Sequence, residues 1–284
     1  SLDNQQSEYQ LFRAFLQDSC GILLGDNKAY LVNSRLKPVL SQYELKNMEQ
    51  LIAQLNLSSS QKLREHVIDA MTTNETLWFR DGYPFDILKN RILTEFCEGK
   101  GSSSIKIWSA ACSTGQEPYS IAMAVKEFLA ARSGRVKLDI KVTATDIAST
   151  VLDNAKNGRY QLLALGRGLS DNRLQKFFSK KSDDSWEIQQ EIKNMVEFKP
   201  INLLNSYQSI GSSLDIIFCR NVLIYFSPEL KKQILIKMHK LLKKGGYLFL
   251  GASESLTGLS DYFEIMQTCR KWHQKESPVW INWP

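Results

Sequence analysis

The chain has 284 residues, of which 43% are hydrophobic and 23% are charged, and this composition is typical of a globular protein. It excludes a disordered or fibrous chain, and the length predicts two domains. The 36 basic and 30 acidic residues give a net charge of +6, which mildly favours acidic partners without indicating a nucleic-acid binder.

Cysteine and histidine usage narrows the class of protein further. The 5 cysteines are scattered without a C-x-x-C pair, and 3 histidines occur. This pattern argues against a disulfide framework, a metal site and a Ser-His-Asp triad. The apolar runs are too short or too interrupted by charge to span a bilayer, and no signal-peptide segment is recognised at the N-terminus. We therefore expect a cytoplasmic protein without a metal or membrane insertion.

Residues 1–71 are predicted to form a small helical domain. Apolar residues recur at helical spacing from about Tyr9 to Met71, and no convincing strand pattern interrupts them. Serines at 58–60 offer N-cap hydroxyls for a helix that begins near Lys62.

Residues 72–84, called the seam below, connect this helical domain to the rest of the chain. Within ten residues, 72–81, the seam contains hydroxyls, an amide, two acids, two aromatic rings and Arg80. A helix cap followed by a hydrophobic anchor would explain most of them. Because clefts between domains often bind ligands, we predict that the seam contributes to the active site.

Strand and helix patterns alternate in residues 85–284. The predicted strands are 105–109, 137–145, 214–219 and 247–251, the predicted helices are 117–131, 147–157 and 229–242, and a helix C-cap is predicted at 244–246. This alternation predicts a doubly wound α/β domain with a parallel sheet, whose ligands bind at the carboxyl ends of the strands.

The alternation lapses between about residues 158 and 199. Short alternating segments occur there, such as 186–188 and 195–198. We predict an inserted subdomain with a few antiparallel strands.

Small residues fill the loop between strand 105–109 and helix 117–131. Ser113, Thr114 and Gly115 let a ligand approach the backbone, and Pro118 suits the first helical turn. The loop can present N–H groups to an anionic ligand group, although a tight turn packed with small residues would have the same composition. Neither G-x-G-x-x-G nor G-K-[ST] is present, which disfavours nicotinamide dinucleotides and nucleoside triphosphates.

Two other predicted strands end in polar residues. Asp146 follows strand 137–145, where an acid can accept both hydroxyls of a ribose or simply cap the next helix. Arg220 and Asn221 follow strand 214–219, with Tyr225 about one turn further on, and a buried structural arginine and tyrosine are the alternative. Asp146, at the end of strand 137–145, suits an adenosine-containing cofactor.

Four motifs, in this order, resemble the chemotaxis receptor methyltransferases of the CheR type. They are residues 73–80, 111–120, 145–147 and 218–226, and the resemblance spans nearly the whole chain. It implies a helical N-terminal domain and a Rossmann-like α/β domain that binds S-adenosylmethionine and carries an inserted β-subdomain. Ala111 and Gln116 stand where many relatives have Gly and Glu, and both changes are conservative in size.

The resemblance also implies a set of site residues by matching position. The expected cofactor-binding residues are Asn74, Thr76, Arg80, Glu117, Asp146, Asn202, Leu203, Arg220 and Asn221. Among them, Asp146 would hold the ribose, and Asn202 with Leu203 the adenine. Arg80 and Tyr225 are the expected catalytic residues, which would align the substrate carboxylate with the transferred methyl group and leave S-adenosylhomocysteine as product.

The implied reaction is methylation of glutamate side chains on chemoreceptors. A carboxylate is already ionised at neutral pH, so the reaction needs positioning rather than a general base. A nucleic-acid methyltransferase is the first alternative, and it is disfavoured because neither an N/D-P-P-Y/F tetrapeptide nor a Pro-Cys pair occurs. A non-catalytic module that binds S-adenosylmethionine is the second alternative, and the presence of Arg80 and Tyr225 favours an enzyme instead.

The expected partner is the helical cytoplasmic region of a methyl-accepting chemoreceptor. Lys28, Arg35 and Lys37 could form a basic face for it, and a solvated helix surface is an equal alternative. In some members of the family the β-subdomain holds a short peptide at the receptor's C-terminal tail. The corresponding turn here, residues 179–185, contains no glycine, so we predict that the subdomain does not bind the tail.

Overall fold

The fold combines a helical N-terminal domain with a sheet-containing domain. The computed structural model describes residues 2–100, 103–256, 258, 261–265 and 279–282. The end of the predicted α/β domain at residue 284 lies outside the described residues. Within those ranges, no helix has both the length and the apolar character needed to cross a bilayer.

Four helices form the N-terminal domain, as predicted. They are α1 (Leu2–Cys20), α2 (Ala29–Gln42), α3 (Met48–Leu55) and α4 (Gln61–Met71). Each contributes apolar side chains to one core, in which Phe12, Leu36, Leu51 and Val67 are fully buried. This core has its own cluster of side chains, separate from those that pack against the sheet.

A helical segment that the sequence interpretation did not include follows the seam. It consists of α5 (Tyr83–Ile87), a π-helical turn (Leu88–Ile92), α6 (Leu93–Glu95) and a second π-helical turn (Phe96–Lys100). π-Helical turns shift the apolar positions away from the regular α-helical spacing, which weakens the periodic signal. Leu88, Ile92 and Leu93 are nevertheless fully buried against the sheet.

The second domain contains a seven-stranded sheet in the order β6-β2-β1-β7-β8-β10-β9. The strands are β1 (Ser104–Ala110), β2 (Asp139–Asp146), β6 (Val196–Pro200), β7 (Leu214–Cys219), β8 (Leu242–Leu250), β9 (Phe263–Ile265) and β10 (Val279–Asn282). The first five strands in this order are parallel, and β10 and β9 are antiparallel. The helices α7 (Gln116–Ala131), α8 (Ser149–Asn157) and α12 (Pro228–Leu241) alternate with the strands along the chain.

Successive residues of the central strands pack into two different cores. On β7, Phe218 belongs to the core that contains α7 residues, whereas Ile217 belongs to the core that contains α12 residues. All six residues of β7 are buried, which is the pattern of a strand covered on both faces. The predicted doubly wound α/β domain is therefore confirmed.

The insertion is smaller and more helical than predicted. A three-stranded antiparallel sheet contains β3 (Arg159–Tyr160), β4 (Phe178–Lys180) and β5 (Trp186–Ile188), with β5 in the middle. Three short helices accompany it: α9 (Leu162–Leu165), α10 (Asp171–Phe177) and α11 (Gln190–Lys193).

Two details of the prediction are wrong. Segment 195–198 was assigned to the antiparallel insertion, but β6 pairs in parallel with β2 at the edge of the main sheet, where its outward residues alternate with inward ones. Residues 244–246 do not cap a helix. Helix α12 ends at Leu241, and residues 244–246 lie within β8 at a register shift between β7 and β8.

Candidate functional site

A cleft lies at the carboxyl ends of the parallel strands and is bordered by the seam and by the end of α1. It brings together all ten residues proposed from the sequence: Asn74, Thr76, Arg80, Glu117, Asp146, Asn202, Leu203, Arg220, Asn221 and Tyr225. We use the term sheet wall for the loop after β1 (residues 111–115) and for the site residues on α7 and at the ends of β2, β6 and β7, which are Glu117, Asp146, Asn202, Leu203, Arg220 and Asn221. The seam forms the opposite wall.

The loop after β1 reverses direction through several left-handed residues. Ala111, Ser113 and Gly115 have φ values of 57°, 51° and 98°. A Cβ atom on Gly115 would lie 3.1 Å from the Tyr119 ring and 3.1 Å from the Tyr160 hydroxyl. Glycine is therefore required at position 115 for this close packing as well as for its backbone conformation.

Asp146 is 6% exposed, and both oxygens of its carboxylate accept backbone hydrogen bonds. The Ser113 N–H donates to one oxygen over 2.9 Å, and the Ala148 N–H donates to the other over 2.9 Å. Burial raises the pKa of Asp146 above its ordinary value, and these N–H groups oppose the shift. Asp146 thereby joins the loop after β1 to the end of β2.

The alternative role of Asp146 as a helix cap is not observed. Helix α8 begins at Ser149, and its N-cap residue is Ala148. The acid at this helix terminus is Asp69 of α4, whose carboxylate accepts from the Ser149 hydroxyl over 3.1 Å and from the Thr150 hydroxyl over 2.7 Å. The N–H groups of both residues also donate to Asp69 over 3.3 Å. The helical domain thus supplies the cap of a helix in the other domain.

Glu117 and Arg220 form a charged pair at the bottom of the cleft. The Ser109 hydroxyl donates to Glu117 over 2.7 Å, and Arg220 lies 3.5 Å from the other carboxylate oxygen. Arg220 also donates to the Asp81 carboxylate over 2.7 Å and to the Arg80 carbonyl over 3.0 Å. Burial raises the pKa of Glu117, while the Arg220 guanidinium and the Ser109 hydroxyl lower it.

The Arg220 side chain is 1% exposed, yet its Nε atom has no hydrogen-bond partner among the described residues. An unpartnered buried donor is costly, so it favours an acceptor from outside the chain. Arg220 lines the cleft. This donor fits the carboxylate of an amino-acid group.

The segment after β6 contacts the helical domain. The Asn202 side-chain amide donates to the Ser19 carbonyl of α1 over 2.6 Å, and its oxygen accepts from the Leu204 N–H over 3.0 Å. The next residue, Leu203, is 8% exposed and presents an apolar side chain to the cleft. The helical domain is therefore part of the cleft.

Aromatic anchors fix the backbone of the seam. Trp78 is 1% exposed, and its backbone N–H and indole N–H donate to carbonyls of Arg167 over 3.0 Å and Ala164 over 3.2 Å in the insertion. The Phe79 N–H donates to the Ser120 hydroxyl over 3.0 Å. These contacts fix the polar residues of the seam opposite the sheet wall.

Two polar side chains of the seam, those of Asn74 and Arg80, are held less firmly. The Asn74 amide lies 3.3 Å from the Thr72 hydroxyl, and one Arg80 nitrogen lies 3.5 Å from the Glu75 carbonyl. By contrast, the Asn74 backbone carbonyl accepts from the Ser113 hydroxyl over 3.0 Å. The seam is thus tied to the sheet wall through its backbone and through Asp81, whose carboxylate pairs with Arg220.

Sequence reasoning missed several residues of this region. Cys20 and Ile22, at the end of α1, line the cleft. Asp69 and Asp81 act on the site through hydrogen bonds, and Glu254 accepts three N–H groups near it. Asp81 falls within segment 72–81, but no motif marks its pairing with Arg220, and no motif marks the other residues. Their roles depend on the packing of the two domains or of two neighbouring strand ends.

The proposed basic face of the helical domain divides into two groups. Lys28 and Lys37 are exposed. Arg35 is half-buried, and its guanidinium donates to the Met71 carbonyl over 3.1 Å at the start of the seam. Arg35 therefore stabilises the junction between α2 and the seam instead of presenting all of its charge to solvent.

The residues of the cleft fit S-adenosylmethionine. Asp146 retains lone pairs for ribose hydroxyls, Glu117 supplies an acid for an ammonium group, and Arg220 supplies the unpartnered donor for a carboxylate. The side chains of Leu203 and Ile201 provide an apolar border of the cleft. These are the groups that an amino acid joined to a nucleoside requires.

Comparisons with known proteins agree with this geometry. Residues 7–72 match the family described as CheR methyltransferase, all-alpha domain, and residues 74–272 match CheR methyltransferase, SAM binding domain. Chemotaxis protein methyltransferase Cher2 of Pseudomonas putida is 50% identical over 260 residues, which cover 92% of this chain and 94% of the relative.

Two other relatives extend the comparison. Chemotaxis protein methyltransferase 1 of Pseudomonas aeruginosa is 50% identical over 261 residues, covering 92% of this chain and 94% of that protein. Chemotaxis protein methyltransferase of Salmonella typhimurium is 36% identical over 248 residues, covering 86% of this chain and 82% of that protein. Together with the two matched domains and a cleft that suits S-adenosylmethionine, these similarities show that the chain belongs to the CheR methyltransferase family.

Proposed function

We propose that this chain transfers a methyl group from S-adenosylmethionine to glutamate side-chain carboxylates of chemoreceptors. The observation that carries the proposal is the meeting in one cleft of Asp146 and Glu117, suited to the cofactor, with Arg80 and Tyr225, suited to a substrate carboxylate. The names of the relatives, which are chemotaxis protein methyltransferases, support the same assignment.

In this proposal the sheet wall binds the cofactor. Asp146 accepts the ribose hydroxyls, and Asn202 and Leu203 border the adenine. Glu117 faces the ammonium group of the amino-acid end. The unpartnered Nε of Arg220 donates to its carboxylate, and Asn221 completes that end. Asn74 and Thr76 contribute polar groups from the seam.

The catalytic contribution of the chain is positioning. The bound cofactor supplies an electrophilic methyl group on a sulfonium. Arg80 pairs with the substrate carboxylate and orients one oxygen, and Tyr225 borders the point of attack. Residues at the end of α1 and in the seam line the cleft, and bound cofactor and substrate displace water from it, which strengthens these contacts. No side chain needs to remove a proton, because the attacking carboxylate is already ionised.

We propose that the protein substrate is the helical cytoplasmic region of a receptor. The exposed Lys28 and Lys37 supply positive charge to the helical domain near an acidic substrate. Interactions of this kind raise the rate of association and weaken with salt. A fall in the apparent affinity for receptor with increasing salt, together with a smaller salt dependence in the double variant Lys28→Gln and Lys37→Gln, would support this contact.

The insertion is proposed not to bind a receptor-tail peptide. Its outer strands, β3 and β4, have 2 and 3 residues, which offers few backbone groups for an added strand. The turn between β4 and β5 forms without glycine because Asp184 adopts a φ of 61° and Asp183 accepts the Ser185 N–H over 3.2 Å. Calorimetric titration with a receptor-tail pentapeptide should show no binding at micromolar concentrations, and a clear micromolar isotherm would contradict the proposal.

Transfer of labelled methyl groups tests the main proposal. The chain is incubated with labelled S-adenosylmethionine, receptor-containing membranes and, separately, nucleic acid. We expect label in the receptor that is released by base, as carboxyl methyl esters are. Label in nucleic acid would indicate the first alternative. Saturable cofactor binding with no transfer to any receptor would indicate a non-catalytic module.

A further inference from the structure

The loop after β7 directs backbone N–H groups at the buried carboxylate of Glu254. The Asn221 N–H donates to one oxygen over 2.6 Å, and the Leu223 N–H donates to the other over 2.9 Å. The Gly251 N–H, at the end of β8, donates to the first oxygen over 2.8 Å. Glu254 is 7% exposed. One carboxylate thus joins the ends of two neighbouring strands.

Gly251 permits this arrangement. A Cβ atom at position 251 would lie 2.6 Å from the Glu254 carboxylate and 2.8 Å from the Asn221 side-chain nitrogen. Both distances are too short for carbon, so any larger residue would push the carboxylate and the loop apart. The close approach of Gly251, Asn221 and Glu254 is therefore built into the backbone of both strand ends.

Asn221 is left-handed, with a φ of 61°. Asparagine adopts this conformation at a smaller cost than most non-glycine residues, and bonds from neighbouring groups select it over the other conformations open to the residue. Asn221 lines the cleft between Arg220 and the short 3₁₀ helix that contains Tyr225. An error in the position of this loop would therefore move three cleft residues together.

We propose that Glu254 is a positioning residue, which holds Asn221 in its left-handed conformation and thereby sets Arg220 and Tyr225 in the cofactor cleft. Glu254 itself is not among the residues that line the cleft. It acts through the three backbone N–H groups, and the inference rests on the proposed binding of the cofactor's amino-acid end by this loop.

Glu254→Gln is the most informative variant. Glutamine keeps one oxygen that can accept from Asn221 and Gly251, but its amide group would face the Leu223 N–H, donor against donor. Calorimetry with S-adenosylhomocysteine should show about tenfold weaker binding, the change expected for one lost bond to a charged acceptor. Glu254→Ala, which removes all three bonds, should bind more weakly still.

Asp215→Asn is the matched control. Asp215 is a buried carboxylate on β7, the strand that precedes the Asn221 loop, and is 4% exposed; it accepts the Lys106 N–H over 2.8 Å and a Lys243 ammonium proton over 2.9 Å. It lies at the end of β7 away from the cleft. Its variant should lower the melting temperature and leave the dissociation constant for S-adenosylhomocysteine within about twofold.

The outcomes distinguish the positioning role of Glu254 from the binding of the cofactor in the cleft. Tenfold weaker binding by folded Glu254→Gln, with unchanged binding by Asp215→Asn, supports the positioning role. Wild-type affinity in folded Glu254→Gln, or equal weakening in Asp215→Asn, overturns that role alone. Absence of S-adenosylhomocysteine binding in the wild type overturns the cofactor assignment as well. If Glu254→Ala does not fold, Glu254→Gln still decides between these outcomes.

Discussion

The two walls of the cleft are held in different ways. On the sheet wall, Asp146 accepts two N–H groups at 2.9 Å, and Glu117 accepts the Ser109 hydroxyl at 2.7 Å. On the seam, the closest polar contacts of the Asn74 and Arg80 side chains are 3.3 and 3.5 Å long. The seam backbone is nevertheless anchored by the buried Trp78 and Phe79.

This contrast suggests that the sheet wall binds the cofactor and that the seam side chains align the substrate carboxylate. A wall fixed before the ligand arrives loses little conformational freedom on binding, so the sheet wall is suited to hold an invariant small molecule. Side chains that are anchored at the backbone and free at the tip can adjust to a protein surface. Changes on the sheet wall should therefore affect mainly cofactor affinity, and changes of seam side chains should affect mainly turnover.

The largest effect is expected from Asp146→Asn. The amide keeps one acceptor but turns its NH₂ group towards the Ser113 or the Ala148 N–H, and it loses the charge proposed to bind the ribose. We expect about 100-fold weaker binding of S-adenosylhomocysteine by calorimetry, the sum of two charge-assisted hydrogen bonds. Asp153→Asn, at an exposed acid of α8, is the control. Equal affinity in Asp146→Asn would remove Asp146 from the site.

Arg80→Ala should lower turnover more than cofactor affinity, the opposite of Asp146→Asn. We expect about 30-fold slower methyl transfer at saturating cofactor, because a misaligned carboxylate loses the advantage of proximity. Cofactor affinity should change less than tenfold, and stability by less than about 0.5 kcal/mol, because the hydrogen bond of the Arg80 side chain within the described residues is 3.5 Å long. Arg135→Ala, at an exposed arginine, is the control. Near-wild-type turnover of folded Arg80→Ala would refute this role.

Lowering the pH should change cofactor affinity and the contribution of Glu117 to the stability of the fold in opposite directions. Burial raises the pKa of Glu117, so the folded chain binds this proton more tightly than the unfolded chain does. The contribution of Glu117 to stability therefore rises as the pH falls through its folded pKa and is lost as the pH rises. Cofactor affinity should do the opposite, because the protonated acid no longer attracts an ammonium group.

The comparison of wild type with Glu117→Gln measures both effects. As the pH falls from neutral through the folded pKa of Glu117, wild-type affinity for S-adenosylhomocysteine should fall several-fold. The variant should bind more weakly at neutral pH and show a flatter profile. Parallel pH profiles of the two proteins would exclude Glu117 as the group that titrates.

The smallest effect is expected where the helical domain contacts the α/β domain through Asp69. Asp69→Asn weakens the cap of α8 and should lower the free energy of unfolding by about 1 kcal/mol. Cofactor affinity should fall only slightly, since Asp69 is not among the residues that line the cleft. Glu65→Gln, at an exposed acid on the same helix, is the control. A large loss of turnover without loss of stability would show that Asp69 has a direct role.

The sequence was most informative where one local pattern determines the structure. The apolar run of β7 predicts a central strand, and parallel strands bring Asp146 and Arg220 to the same edge of the sheet. By contrast, β6 has alternating exposure at the sheet edge, which resembles an antiparallel strand. Local patterns do not distinguish the two kinds of pairing.

Residues that act across long separations escaped prediction. Asp69 caps a helix 80 residues later in the chain, and Glu254 restrains a loop 33 residues earlier. Each is a charged residue of a kind that is usually exposed, and its neighbours in the sequence do not distinguish it. Its function follows from the packing of two domains or two strand ends, which no spacing rule contains.

The long separations across the cleft also set an order of assembly during translation. The buried residues in the core of the helical domain end at Met71. The Trp78 N–H can form its hydrogen bond only after Arg167 has been synthesised. The Arg80 carbonyl can accept its hydrogen bond only after Arg220, 140 residues later, has been synthesised. Until then, the aromatic anchors of the seam are exposed on the nascent chain, where chaperones recognise such side chains. The cleft and the Glu254 restraint can therefore be complete only after residue 254 has been synthesised.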